Sequence, residues 1–198
     1  KQIDLSWLVA TDLLVLAAKA PDLKFIYACD YSGEVDAIVS HGINTPADLK
    51  GKKLVTTAGT TSERYIRQHE KELGIGEVIS AKDHAESFLM LQSGRAAAFM
   101  MDDILLAGEK SKAKDPNKWH IVGTAPIQEV YGCMLRKGDT GFKQVVDDAI
   151  KATYSSGEIN KMYNKWFEQP IPPKNINLNF AMSDQLKALI ANPHDRDQ

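Results

Sequence analysis

The chain has 198 residues, 43% of them hydrophobic, which is enough for one sizeable core or two small ones. Its 24 Lys and Arg nearly balance 26 Asp and Glu, so no basic face for a nucleic acid is expected. No run approaches the ~18 apolar residues a membrane helix needs, the best being residues 13–18.

The N-terminal residues show no basic n-region, apolar h-region and small-residue cleavage site, so no signal peptide is read there. That permits a cytosolic address, and equally the mature form or a fragment of a secreted protein. Residues 12–19 are expected to form a short helix broken by Pro21 and Asp22. Residues 23–28 (LKFIYA) alternate and carry aromatic and β-branched side chains, as a strand does. Residues 35–40 predict a second strand, and Thr45-Pro46 starts a single helical turn. Residues 53–57 (KLVTT) predict a strand that runs into Ala58-Gly59-Thr60-Thr61-Ser62. A helix follows from about residue 63 to 73, stopped by Gly74 and Gly76.

A short strand at 77–80 precedes a helix at 86–93, closed by Gly94. Residues 96–101 are almost wholly apolar, which suits a strand covered on both faces, and Asp102 and Asp103 end it. A helix at 104–113 and strands at 119–123 and 131–136 come next. In the helix at 141–155 the apolar residues Phe142, Val145, Val146, Ala149 and Ile150 recur at helical spacing. A helix at 158–167, a tail with Pro170, Pro172 and Pro173, and a short helix at 184–190 complete the chain. Strands alternating with helices predict βαβ units and a mostly parallel sheet. Residues 51–123 form one unit, and the flanks are pieces of another, joined by two crossover strands acting as a hinge.

Three places carry chemistry. Gly59, Thr60 and Thr61 follow a strand and open a helix, where first-turn amides attract anions and a glycine lets a ligand approach the backbone. The spacing of a P-loop is missing, so a carboxylate fits better than a triphosphate; an ordinary helix cap is the competing explanation. Asp102 lies at the carboxyl end of a strand, where ligands of open α/β sheets sit, and can pair with a ligand amino group or cap the next helix. His84 lies in the loop between a strand and a helix, as a binding residue or an ordinary surface one. No nucleophile motif is present, and the other histidines, His41, His69, His120 and His194, show no metal-ligand spacing. Cys29 and Cys133 are too few for a structural zinc site; they form one disulfide or remain two thiols. No cofactor or metal is expected.

The segments DLKGKKLVTTAGTTSE, ISAKDHAESFLMLQSGRAAAFMMDDILLAGEKSKAK, EVYGCMLRKGD and NKWFEQPIPPKNINLNF, in this order, resemble the glutamate/aspartate-binding proteins of polar amino-acid importers. The resemblance runs from about residue 48 almost to the C-terminus, and the KDH, MMDD and IPPKN elements point to the acidic amino-acid branch. It implies a periplasmic, non-enzymatic carrier that delivers glutamate or aspartate to ABC permease subunits. It implies a type II periplasmic-binding-protein fold, α/β, of two lobes closing on a ligand. Residues 47–126 would form a complete lobe, and 1–46 with 127–198 a partial, discontinuous one. Gly59, Thr60 and Thr61 would then hold a ligand carboxylate, Asp102 the α-ammonium group and His84 the side-chain carboxylate.

The family's long first segment, with arginines that clamp carboxylates bidentately, has no match here. Residues 1–46 instead resemble the nitrate/sulfonate/taurine type of binding protein, through Asp4-Leu5-Ser6-Trp7, Asp12 and DLKFIYACDYSGEVDAIVSH. The chain is therefore expected to be a fragment, a chimera or rearranged scaffold without a native ligand, or an unusual homologue, with weakened glutamate affinity. Apolar surface on the incomplete lobe would invite self-association. An oxidising compartment would favour a Cys29–Cys133 disulfide near the hinge. An enzyme on the same scaffold, dehydratase-like, is the alternative from another class.

Overall fold

Apart from the exposed Lys53, the strand Lys53–Thr57 and the strand Ala98–Asp102 are buried on both faces, and this decides the layering around them. In the computed structural model, which describes residues 5–9, 23–31, 36–40, 42–122, 130–172 and 175–194, they are β4 and β6 of a five-stranded sheet. The other members are β3 (Asp36–Ser40), β5 (Glu77–Ala81) and β7 (His120–Val122), in the order β5-β4-β6-β3-β7. β5, β4 and β6 run parallel, while β3 is antiparallel to both β6 and β7. The expected parallel sheet is thus present in its β5-β4-β6 half and gives way to antiparallel pairing at β3.

Side chains of a strand alternate between faces. Val55, Phe99 and Met101 enter one core with Phe88, Leu91 and Leu106. Leu54, Ala98 and Met100 enter the other with Ile43, Leu49 and Ile66. Helix α1 (Thr61–His69) supplies Ile66 to the second core; α2 (His84–Gln92) and α3 (Asp103–Ser111) supply Phe88, Leu91 and Leu106 to the first. The result is a sheet between two helical layers, as expected of βαβ units. Phe88 and Trp119 meet edge to face, with ring centroids 5.6 Å apart.

A second sheet has the order β1-β8-β2, with β1 Leu5–Val9, β2 Leu23–Tyr31 and β8 Val130–Arg136, all antiparallel. β1 was not foreseen: its five residues, LSWLV, lack a clean alternation. The helix expected at 12–19 lies outside the described residues. Helices α4 (Thr140–Ser155), α5 (Glu158–Tyr163) and α6 (Asp184–Ala191) follow β8 in the chain, and α6 packs on β2 and α4. The helix expected to run to residue 167 ends as α5 and passes into a wider π turn over Asn164–Glu168.

The chain divides into two compact units: Lys1–Gly33, Gln128–Gln169 and Ala181–Gln198 form the first; Glu34–Ile127 and Pro170–Phe180 form the second. The expected division differs at residues 34–46, 127 and 170–180. Residues 34–46 join the second unit because β3 pairs with β6 and β7, and residues 170–180 join it as well. Among the described residues no helix is long and apolar enough to cross a membrane.

Candidate functional site

Three loops meet at one edge of the five-stranded sheet. β4 is parallel to both β5 and β6, so their carboxyl ends lie side by side: Thr57 ends β4, Ala81 ends β5 and Asp102 ends β6. The GTT turn, His84 and Asp102 follow or close these three strands. Chain topology alone therefore gathers the sequence candidates at the edge where α/β sheets bind ligands.

Beyond Thr57 the backbone turns at Gly59, whose φ of 80° is a left-handed conformation that favours glycine. Thr60 is the N-cap of α1: its Oγ1 accepts from the Glu63 N–H at 3.1 Å and donates to the Thr57 carbonyl at 2.7 Å. The capping explanation of Thr60 is thus realised, whatever else the turn does. Thr61 opens α1 and is half-buried; amides of a helix's first turn have no intrahelical acceptor.

The amide of Gly59 is engaged by the chain itself. It donates to Oε2 of Glu63 at 2.7 Å. The other oxygen, Oε1, accepts from Arg67 Nε at 3.1 Å and from the Ser80 hydroxyl, and Arg67 Nη2 in turn donates to Ser80 Oγ at 2.6 Å. The Ser80 hydroxyl foremost, then the Gly59 amide and the Arg67 guanidinium, hold the Glu63 carboxyl below its usual range against the opposing effect of burial. Sequence reading missed Glu63; the signal was there, since Thr60-x-x-Glu63 has the spacing of a capping box.

His84 is the first residue of α2 rather than part of the preceding loop, because Asp83 takes the N-cap position and accepts from the Glu86 amide at 2.8 Å. Half-buried, it places Nδ1 2.8 Å from Oγ1 of Thr57. Thr57, almost fully buried, also lies 3.0 Å from the Ser87 hydroxyl, which donates to the Asp83 carbonyl at 2.9 Å. Neither Thr57 nor Ser87 stood out in the sequence; only the adjacency of β4 and α2 brings them to His84.

Asp102 is 1% exposed and occupies the N-cap position of α3 without a side-chain cap bond. The neighbouring Asp103 carboxylate accepts from the Ile104 amide at 2.6 Å. Between two adjacent aspartates, the local backbone bond falls to Asp103. Strand register sets Asp36 of β3 directly opposite Asp102.

The two cysteines sit on paired strands. Cys133 on β8 is opposite Tyr27, and Cys29 lies at the irregularity between Ala28 and Asp30 on β2. Cys133 is buried; the Cys29 side chain lies outside the described residues.

A family model described as bacterial extracellular solute-binding proteins, family 3, matches residues 22–169. The chain belongs to this family. Among its relatives within the solute-binding proteins, the L-glutamate/L-aspartate-binding protein of Pseudomonas aeruginosa is 63% identical over 151 residues, covering 75% of this chain and 50% of the relative. The glutamate/aspartate import solute-binding protein of Escherichia coli is 54% identical over 151 residues, covering 76% and 50%. The chain thus spans about half the length of the relatives it matches.

Solved solute-binding proteins share the fold. A Streptococcus pneumoniae ABC uptake transporter substrate-binding protein with bound histidine superposes with a TM-score of 0.67 at 20% identity, over 88% of this chain and 70% of that one. An ancestral arginine-binding protein bound to arginine gives a TM-score of 0.62 at 27% identity, over 76% and 66%. The architecture is that of type II periplasmic binding proteins, mixed α/β, as the sequence led us to expect.

Proposed function

We propose that this chain takes part in extracytoplasmic binding of acidic amino acids, glutamate or aspartate, for delivery to ABC permease subunits, in the periplasm and without catalysis. The observation that carries this is the gathering of the GTT turn, His84 and Asp102 at the carboxyl ends of β4, β5 and β6, in a chain whose relatives are named for those two ligands. The buried Asp102 carboxylate suits an α-ammonium group. The first turn of α1, at Thr60 and Thr61, suits the α-carboxylate. His84 suits the side-chain carboxylate.

Gly59 acts in this scheme through its turn conformation, since Glu63 takes its amide. Of the residues named for this site only His84 can carry a positive charge, which leaves a dicarboxylate short of counter-charge there. Calorimetric titration of the chain with L-glutamate should therefore give a dissociation constant weaker than micromolar. Asp102→Asn should weaken it at least tenfold, about 1.4 kcal/mol. The proposal fails if millimolar glutamate produces neither heat nor backbone amide shifts, or if Asp102→Asn binds as tightly as the parent.

Self-association is supported by Val145, Met162 and Trp166, apolar side chains exposed on helical segments of the first unit. Light scattering at rising protein concentration should show a growing mean mass; a constant monomer mass would exclude it.

A further inference from the structure

We infer that Thr57 and Ser87 are positioning residues that set the tautomer of His84, so that the neutral ring carries its proton on Nδ1 and presents a lone pair at Nε2. The part of this that concerns a ligand rests on the function proposed above; the tautomer does not.

Counting protons along the contacts gives the assignment. A serine or threonine hydroxyl has one proton to donate. That of Ser87 goes to the Asp83 carbonyl at 2.9 Å, an atom that can only accept. In the 3.0 Å contact between the two hydroxyls, Ser87 is then the acceptor and Thr57 the donor. With its proton spent on Ser87, Thr57 Oγ1 can only accept in the 2.8 Å contact with His84, so Nδ1 carries a hydrogen. The chain runs one way: His84 Nδ1–H to Thr57, Thr57 O–H to Ser87, Ser87 O–H to the Asp83 carbonyl. Thr57 and Ser87 are both buried, so water does not readily replace either partner.

The consequence lies at the other ring nitrogen. A neutral Nδ1–H imidazole offers an acceptor at Nε2, which suits a donor such as an ammonium or amide NH2 group and repels a carboxylate. A carboxylate is held at Nε2 only when the ring takes up a second proton. Acidic side chains are thereby bound together with a proton, and amide side chains are bound without one. Charged groups lie on α2's first turn and on the elements packed against it. On its own turn Asp83 holds the Glu86 amide and Glu86 holds the Lys82 amide. Among the elements packed on α2, β6 ends at Asp102 and α3 begins at Asp103, whose carboxylate holds the Ile104 amide, with Glu109 paired to Lys112 and Lys110 in the last turn of α3 further along. Lys53 and Glu77 pair with each other at the far ends of β4 and β5.

The test is ring-nitrogen NMR on the full 15N-labelled chain without ligand, in alkaline buffer, with the His84 signals assigned from their loss in His84→Gln. The expected spectrum is that of a ring protonated at Nδ1. Ser87→Ala frees the Thr57 proton to turn toward Nδ1 and should raise the Nε2–H population several-fold, while Thr57→Ser keeps the parental tautomer. A parental ring protonated at Nε2, or a Ser87→Ala ring unchanged from the parent, would overturn the inference. Should Ser87→Ala not give a folded backbone amide spectrum, Thr57→Val, which removes the acceptor of Nδ1–H, must raise the same population, and failure to do so counts equally against it.

Adding glutamate to saturation should convert His84 to the doubly protonated ring, whereas glutamine should leave it singly protonated. Glutamate bound beside a ring that stays neutral overturns the proton uptake. Absence of any glutamate-induced shift refutes the proposed function and leaves the ligand-free tautomer to be judged by its own spectrum.

Discussion

Replacing Glu63 by Gln tests whether a carboxylate from within the chain organises the GTT turn. The parent carboxylate accepts from the Gly59 amide at 2.7 Å, from Arg67 Nε at 3.1 Å and from the Ser80 hydroxyl. Its side chain is 18% exposed, whereas that of Arg67 is 47% exposed, so the ion pair itself adds little. A hydrogen bond to a charged group contributes about 1.5–3 kcal/mol and a neutral one about 0.5–1.5 kcal/mol. Gln keeps one accepting oxygen and loses the other, so one bond is lost and the survivors are weakened, for a net destabilisation of about 2 kcal/mol.

The pH dependence has a definite sign. The folded-state pKa of Glu63 is lowered, so the ionised group's stabilisation is complete above the ordinary carboxylate range and is lost as pH falls through that range to the lower folded value. Urea unfolding followed by circular dichroism, with amide exchange in α1 to localise the effect, should show the difference between parent and Glu63→Gln at neutral pH. The two proteins should converge in acid. Equal stabilities at neutral pH, or a gap that persists unchanged in acid, would refute the role given to Glu63.

Three further outcomes are expected. Gly76→Ala would set a methyl group 2.7 Å from the Gly51 carbonyl oxygen, in backbone that has little room to shift, and should cost about 1–3 kcal/mol in urea unfolding. Phe99→Ala removes a fully buried ring from the core shared by β4, β6, α2 and α3, and should cost about 3–5 kcal/mol, with loss of the Trp119 near-ultraviolet signal at lower denaturant. A Cys29–Cys133 disulfide is proposed, although the register sets Tyr27 opposite Cys133 and the bond is not formed in the structure; alkylation of the unfolded chain without reductant should then leave both unlabelled in the intact mass, and two labels would refute the link.

The lobe around β4 and β6 was legible because its strands are short, apolar and bounded by glycine-closed helices. Residues 53–57 emerge with the bounds expected, and Ala98–Asp102 is buried along its whole length, as an unbroken apolar run implies. Helix starts were read late: α1 begins at Thr61 and α2 at His84, each two residues earlier than expected, since the caps at Thr60 and Asp83 precede the first apolar residue. β3 was assigned to the wrong unit for a different reason. A strand's residues declare that it pairs, not with whom, and the partner of 36–40 lies some sixty residues away at β6. The Thr57–His84–Ser87 cluster was hidden in the same manner, by pairing across elements. The Glu63 bond to Gly59 spans four residues only and could have been read from the capping pattern.

The strand that leads into the second unit and the strand that leads out of it are hydrogen-bonded neighbours: β3 and β7 pair antiparallel, with Ile38 opposite Val122. Paired strands are about 4.8 Å apart. The two severed ends of such a segment are therefore held side by side by the segment's own sheet, whatever polypeptide lies beyond them. Entry and exit of residues 34–127 are thereby fixed at one place, and residues 170–180 add a further connection to the same unit from another part of the chain.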